Sequence, residues 1–192
     1  AVIIEPIQGV GGIRMASDEF LHAARELCDR TGTLLVMDEV QSGYGRSGKF
    51  FAHQWSGVKA DIVSMAKGIA NGFPVGAIII SPKIPAKKGM LGTTFGGSHL
   101  ACAAAIAVAE VVAEENLVEN ARKMGEKIVA GIKGVGGVED IRGRGLMIGI
   151  DLSVPQADFR KVLREKHHIM TGLSGKYTLR LLPPLMIGEK EV

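Results

Sequence analysis

The chain has 192 residues, 46% hydrophobic and 22% charged, with a net charge of +3. That is the balance of an ordinary globular protein, long enough for one domain or much of two. Basic and acidic residues are interspersed, which excludes the basic stripe of a nucleic-acid binder. No apolar run approaches the roughly 18 residues of a membrane span.

Ala1–Ile4 reads as the interior of a strand halted by Glu5-Pro6. There is no initiator Met, and Glu189–Val192 reads as the opening of an unfinished element, so a piece of a longer protein is expected. Ser17 offers an N-cap, with Asp18 and Glu19 where the helix dipole favours negative charge. Phe20, Leu21, Ala24, Leu27 and Cys28 recur at helical spacing, and Gly32 can close that helix. Thr33–Met37 is a strand-length apolar run, which completes a βαβ unit and predicts a parallel sheet. Further strands are expected at Ile62–Ala66 and, after the turn Asn71–Pro74, at Val75–Ile80.

The triad Lys83, Lys87 and Lys88 reads as a solvated loop. From Leu100 to Glu115 the composition is Ala-rich, which predicts a well-buried helix; Leu117 to Ile132 continues at helical spacing until Gly134. The remainder predicts a smaller α+β unit, with strands near Leu146–Leu152 and Tyr177–Leu182 around a helix near Ala157–Lys166. The expected domains are therefore 1–116 and 117–192. Cys28 and Cys102 read as buried thiols in a reducing compartment, the cytoplasm, and Met147 and Met170 as core filler. His167 and His168 are adjacent and do not face one another on a helix, so no metal site is expected. Gly9–Gly12 lacks dinucleotide-binding spacing and reads as a loop.

Ligands of open parallel sheets gather outside the carboxyl ends of the strands. Glu5, Asp38 and Lys67 each stand at such an end. Lysine is rarely buried without a task, and a lysine in a dry pocket serves as a nucleophilic amine. An amine and a carboxylate leaving neighbouring strands are therefore candidates for one site.

Several segments sharpen that expectation. Asp38-Glu39-Val40-Gln41 followed by Ser42-Gly43-Tyr44-Gly45-Arg46-Ser47-Gly48-Lys49-Phe50 resembles a signature of class III aminotransferases, the group that includes acetylornithine and ornithine aminotransferases. Glu5–Gly9, Lys67-Gly68, Thr94–Gly97, Arg142–Met147 and Leu179–Leu185 are similar to further family segments in the same order. The resemblance implies a fold-type I pyridoxal-phosphate-dependent transferase: part of the large parallel-sheet domain plus most of the small C-terminal α+β domain. It implies pyridoxal 5'-phosphate held covalently by Lys67, with Asp38 pairing with the ring nitrogen, Val40 on the ring face and Gln41 near the ring hydroxyl. Thr94 would reach the phosphate from the neighbouring subunit of a homodimer with shared active sites. Thr93 would touch substrate and Arg180 would grip its α-carboxylate.

The implied reaction moves the ω-amino group of N-acetylornithine, or N-succinylornithine, to 2-oxoglutarate, with an amino-acid amine donor as the partner. Another class III ω-aminotransferase, acting on ornithine, GABA, lysine or a diamine, remains an alternative. So does a catalytically silent dimerisation module. Relatives often carry glutamate where this chain has Val10, so Arg180 is expected to lack a partner and stay free. The phosphate loop and the ring-stacking aromatic of the family's N-terminal half are not in this chain, so weak cofactor binding is expected of it alone.

Overall fold

The computed structural model describes residues 1–85 and 87–192. β1 (Val2–Ile4) leads into a small hairpin of β2 (Ile7–Gln8) and β3 (Arg14–Met15), and then into α1 (Asp18–Thr31). Ser17 Oγ accepts from Phe20 N at 3.2 Å, and Gly32 ends the helix at φ 66°. Leu21 and Cys28 of α1 pack on Leu35 and Met37 of β4 (Leu35–Asp38). β5 (Ile62–Met65) follows, and β1, β4 and β5 are parallel neighbours.

β6 (Ala77–Ile80) departs from the expected parallel sheet: it pairs with β5 antiparallel. The connection through residues 66–76 holds a single short helical turn at Lys67–Ala70. A parallel neighbour needs a crossover of a dozen residues or more, so the chain can only fold back.

Asp61 staples this sheet. Its carboxylate accepts from Leu35 N and from Arg25 Nη1 of α1, each at 2.8 Å. Burial alone would push the carboxyl up, but the Leu35 N–H and the Arg25 guanidinium outweigh it and hold the pKa below the ordinary value. A depressed folded-state pKa stabilises fully above the ordinary carboxylate pKa of about 3.9 and is lost as pH falls through the lower folded value. Asp61→Asn should therefore lower stability at neutral pH by about 2 kcal/mol and flatten its acid limb. Urea titrations between neutral pH and the acid limit check both effects.

α2 (His99–Glu114) and α3 (Leu117–Ile132) meet at Asn116, which takes a left-handed φ of 52°. α2 is not the buried helix its composition predicts. Only Ala101 and Val112 are buried among its residues, Leu100 is 71% exposed, and Cys102 is exposed while Cys28 is buried. An alanine-rich helix carries too little bulk to show from sequence which side is covered.

The second sheet is antiparallel throughout. It comprises β7 (Val138–Arg144), β8 (Met147–Leu152), β9 (Gly172–Ser174) and β10 (Thr178–Leu181), in spatial order β7-β8-β10-β9, with α4 (Gln156–His167) between β8 and β9. The edge strands β7 and β9 lie outside the expected strands. Alternation on β8 builds two layers. Ile148, Ile150 and Leu152 pack with Leu179 against Ile128, Val129 and Ile132 of α3. The opposite face carries Met147, which packs on Ile7 and Ile13 of the β2–β3 hairpin. That hairpin therefore joins the two sheets. Met170 is 81% exposed, against its expected core position. Among the described residues no helix is long and apolar enough to cross a membrane.

Candidate functional site

Glu5, Asp38 and Lys67 leave one edge of the first sheet. Asp38 is level with Ser64 across the parallel ladder, and Lys67 opens a turn three positions further on. Lys67 takes a left-handed φ of 50° and is exposed, so the dry pocket expected for its amine is not formed by this chain. A β-strand ending at solvent leaves the next turn uncovered unless another segment closes over it. Lys67, Gln41, Tyr44, Gly68 and Asn71 line a cleft of about 540 Å³. Val108, Val111 and Val112 of α2, with Leu182, Leu185 and Met186 after β10, form its apolar walls.

Asp38 lines a second cleft of about 500 Å³ that it shares with Glu5, Gln8 and Arg14. Its Oδ1 accepts from Val40 N at 3.0 Å, and Oδ2 bonds no described residue. Amine and carboxylate thus leave the same end of the first sheet but line two different clefts.

The turn after β4 is held by a residue that sequence reasoning passed over. Glu39 is 1% exposed, and its carboxylate accepts from Ser42 Oγ (2.6 Å), Ala52 N (3.0 Å), His53 N (2.8 Å) and His53 Nδ1 (2.9 Å). Four bonds to one buried carboxylate fix the path of residues 39–42, and with it the directions of Asp38, Val40 and Gln41. The only signal in the sequence was a second acidic residue leaving an apolar strand. Arg46 fixes the far end of the same loop by donating to the carbonyls of Leu146 and Pro183. Burial pushes its pKa below the ordinary arginine value.

Gln41 and Arg180 meet at Gly9. A Cβ on Gly9 would stand 1.4 Å from Gln41 Oε1, so the amide lies in space that only glycine leaves open. Arg180 Nη1 donates to the Gly9 carbonyl at 2.9 Å. Arg180 is therefore not the free side chain expected from Val10: the backbone beside Val10 holds it, while Val10 itself is 76% exposed. Arg180 Nε is buried without an acceptor among the described residues. Thr93 and Thr94 lie in an exposed segment and line neither cleft. Among the described residues no group of His, Cys, Asp or Glu is arranged to hold a metal ion.

The donor set suits a ring that carries an aldehyde and a basic nitrogen. An exposed amine and an amide line one cleft, and a carboxylate with an open oxygen leaves the adjacent strand into the other. Parallel strands lie about 4.8 Å apart, the scale of one aromatic ring.

Residues 1–192 match the family model described as aminotransferase class-III. The chain is 45% identical to the acetylornithine aminotransferase of Corynebacterium efficiens, over 100% of this chain and 48% of that protein. It matches the N-acetylornithine aminotransferase structure from Stenotrophomonas maltophilia with a TM-score of 0.86 and 35% identity, covering 98% of this chain and 52% of that one. The ornithine aminotransferase structure from Toxoplasma gondii, crystallized in presence of oxidized glutathione and with partial occupancy of PLP at its active site, gives a TM-score of 0.89 at 30% identity, covering 98% and 47%. The chain spans about half the length of the curated relatives it matches. Sequence and fold agree over essentially its whole length: this chain belongs to the class III aminotransferase family.

Proposed function

We propose that the protein carrying this chain is a pyridoxal-phosphate-dependent aminotransferase that moves the ω-amino group of N-acetylornithine, or N-succinylornithine, to 2-oxoglutarate. The observation that carries this reading is the shared end of the first sheet: the Lys67 amine lines one cleft with Gln41, and the open Asp38 carboxylate leaves the neighbouring strand. The amine side of the reading rests on relatives named as acetylornithine aminotransferases at 42–45% identity.

When bound, the cofactor supplies an electron sink that stabilises negative charge at the reacting carbon. Lys67 Nζ would anchor it and move the proton released at that carbon. The Asp38 carboxylate would accept the ring N–H and keep the ring protonated. Val40 would pack against a ring face, and Gln41 would hydrogen-bond near the ring hydroxyl. Arg180 offers its guanidinium to the substrate α-carboxylate, for which a planar fork is suited.

Thr94 takes the phosphate across the interface of a homodimer with shared active sites, and Thr93 touches substrate. Exposed Phe73, Leu91, Phe95, Leu100 and Ile106, in the stretch around Thr93 and Thr94, support a covering chain there. The large domain ends at Asn116 and residues 117–192 belong to the small one, a division supported by the two separate four-stranded sheets. The two free cysteines suit a cytoplasmic location.

A substrate panel tests the reading in the intact protein with added cofactor, following glutamate formation from 2-oxoglutarate. N-acetylornithine should exceed ornithine, GABA and a simple diamine in kcat/KM by at least about tenfold. Preference for any of those three, or no glutamate from any amine, would overturn it.

A further inference from the structure

Four residues lie level across the second sheet: Arg142, Gly149, Arg180 and Gly172 on β7, β8, β10 and β9. Level residues on neighbouring strands point to the same face, so the two arginines flank a glycine saddle. The Gly9–Gly12 loop of the hairpin sits in that saddle. A Cβ on Gly149 would stand 2.8 Å from the Gly12 carbonyl oxygen, a distance that only glycine permits.

Three donors of this sheet grip the loop by its carbonyls. Arg180 Nη1 takes Gly9 O at 2.9 Å, Ser174 Oγ takes Val10 O at 2.7 Å, and Arg142 Nε takes Gly12 O at 2.8 Å. Arg142 cannot swing away. Asp151 holds it through Nη1 at 2.7 Å and Nη2 at 2.9 Å, and Asp140 adds a contact at 2.8 Å. Thr178 Oγ1 in turn donates to Asp151. The guanidinium beside Asp151 holds that carboxyl below the usual carboxylate range, so the lock stays charged through neutral pH.

The geometry points to Arg142, locked by Asp151, as a positioning residue for Arg180. It fixes the Gly9–Gly12 loop, and the Gly9 carbonyl sets where the Arg180 fork stands. Arg142 does not touch substrate, because its guanidinium is committed to Asp151, Asp140 and the loop. The inference rests on reading Arg180 as the carboxylate grip. It assigns the orientation of that grip to a residue on another strand.

The test uses the intact enzyme and inert glutarate as the dicarboxylate probe, titrated by calorimetry beside steady-state kinetics. Arg142→Ala should weaken glutarate about tenfold and raise the KM for 2-oxoglutarate by a similar factor, with kcat held within about twofold. Ser174→Ala removes one tether and spares the ion pair, so it should give about a threefold loss even if Arg142→Ala folds poorly. Arg180→Ala separates the two ideas. If it weakens glutarate while Arg142→Ala and Ser174→Ala leave affinity untouched, or lower kcat instead, the positioning role is overturned and the grip stands. Unchanged glutarate affinity in Arg180→Ala would overturn the grip itself.

Discussion

Lys67→Ala in the intact protein is expected to lower amino-group transfer by at least about a thousandfold, with folding stability within about 1 kcal/mol of wild type. The two effects separate because of where Lys67 stands. Its side chain is exposed, so truncation opens no core cavity. Its φ of 50° is one that alanine adopts no more easily than lysine, so the strain is neither relieved nor increased. What disappears is the amine that anchors the cofactor and moves the substrate proton. Lys67→Arg is the informative companion. It keeps the charge and length but cannot act as an amine nucleophile, so it should be as inactive as alanine. Urea unfolding and single-turnover rates on the same samples check the separation. Transfer within tenfold of wild type in either variant would remove Lys67 from the chemistry.

The opposite pattern is expected at Glu39. Glu39→Gln should cost about 3 kcal/mol of stability or more, although it never touches substrate. Both carboxylate oxygens accept from two donors each: Oε1 from His53 N and Nδ1, Oε2 from Ser42 Oγ and Ala52 N. An amide must turn its NH2 toward one of those pairs, leaving a buried backbone N–H without an acceptor. The loosened turn carries Asp38, Val40 and Gln41, so cofactor affinity should fall along with stability. Denaturant unfolding and a cofactor titration of Glu39→Gln measure the two losses. Stability within about 1 kcal/mol of wild type would show that the turn is held by other contacts.

The elements that could be read in advance are those whose causes are local. α1 was legible from Ser17, its acidic first turn and Gly32, because capping and periodicity act within a few residues. β4 and β5 were legible as short apolar runs, and their polar exits at Asp38 and Lys67 marked the strand edge. What sequence could not give was which surfaces meet. The Ala-rich composition of α2 fits a buried helix and an exposed one equally well. The direction of β6 depends on the connection being too short for a crossover. Arg180 was recognisable by its motif, yet its tether joins residues 171 positions apart, and the bond from Arg142 to Gly12 spans 130. Glu39 was hidden for a related reason. Beside Asp38 it reads as one more charge, and only the return of the chain at Ala52 and His53 buries it.

The central claim is that the Lys67 amine is the one that captures the cofactor. The direct measurement is to incubate the intact protein with pyridoxal phosphate, reduce with borohydride and map the modified peptide by mass spectrometry. A pyridoxyl label on the peptide containing Lys67, absent in Lys67→Ala and diminished in Asp38→Asn, is the expected result. A label on a different lysine, such as Lys83, Lys87 or Lys88, with Lys67 unmodified, would contradict the account.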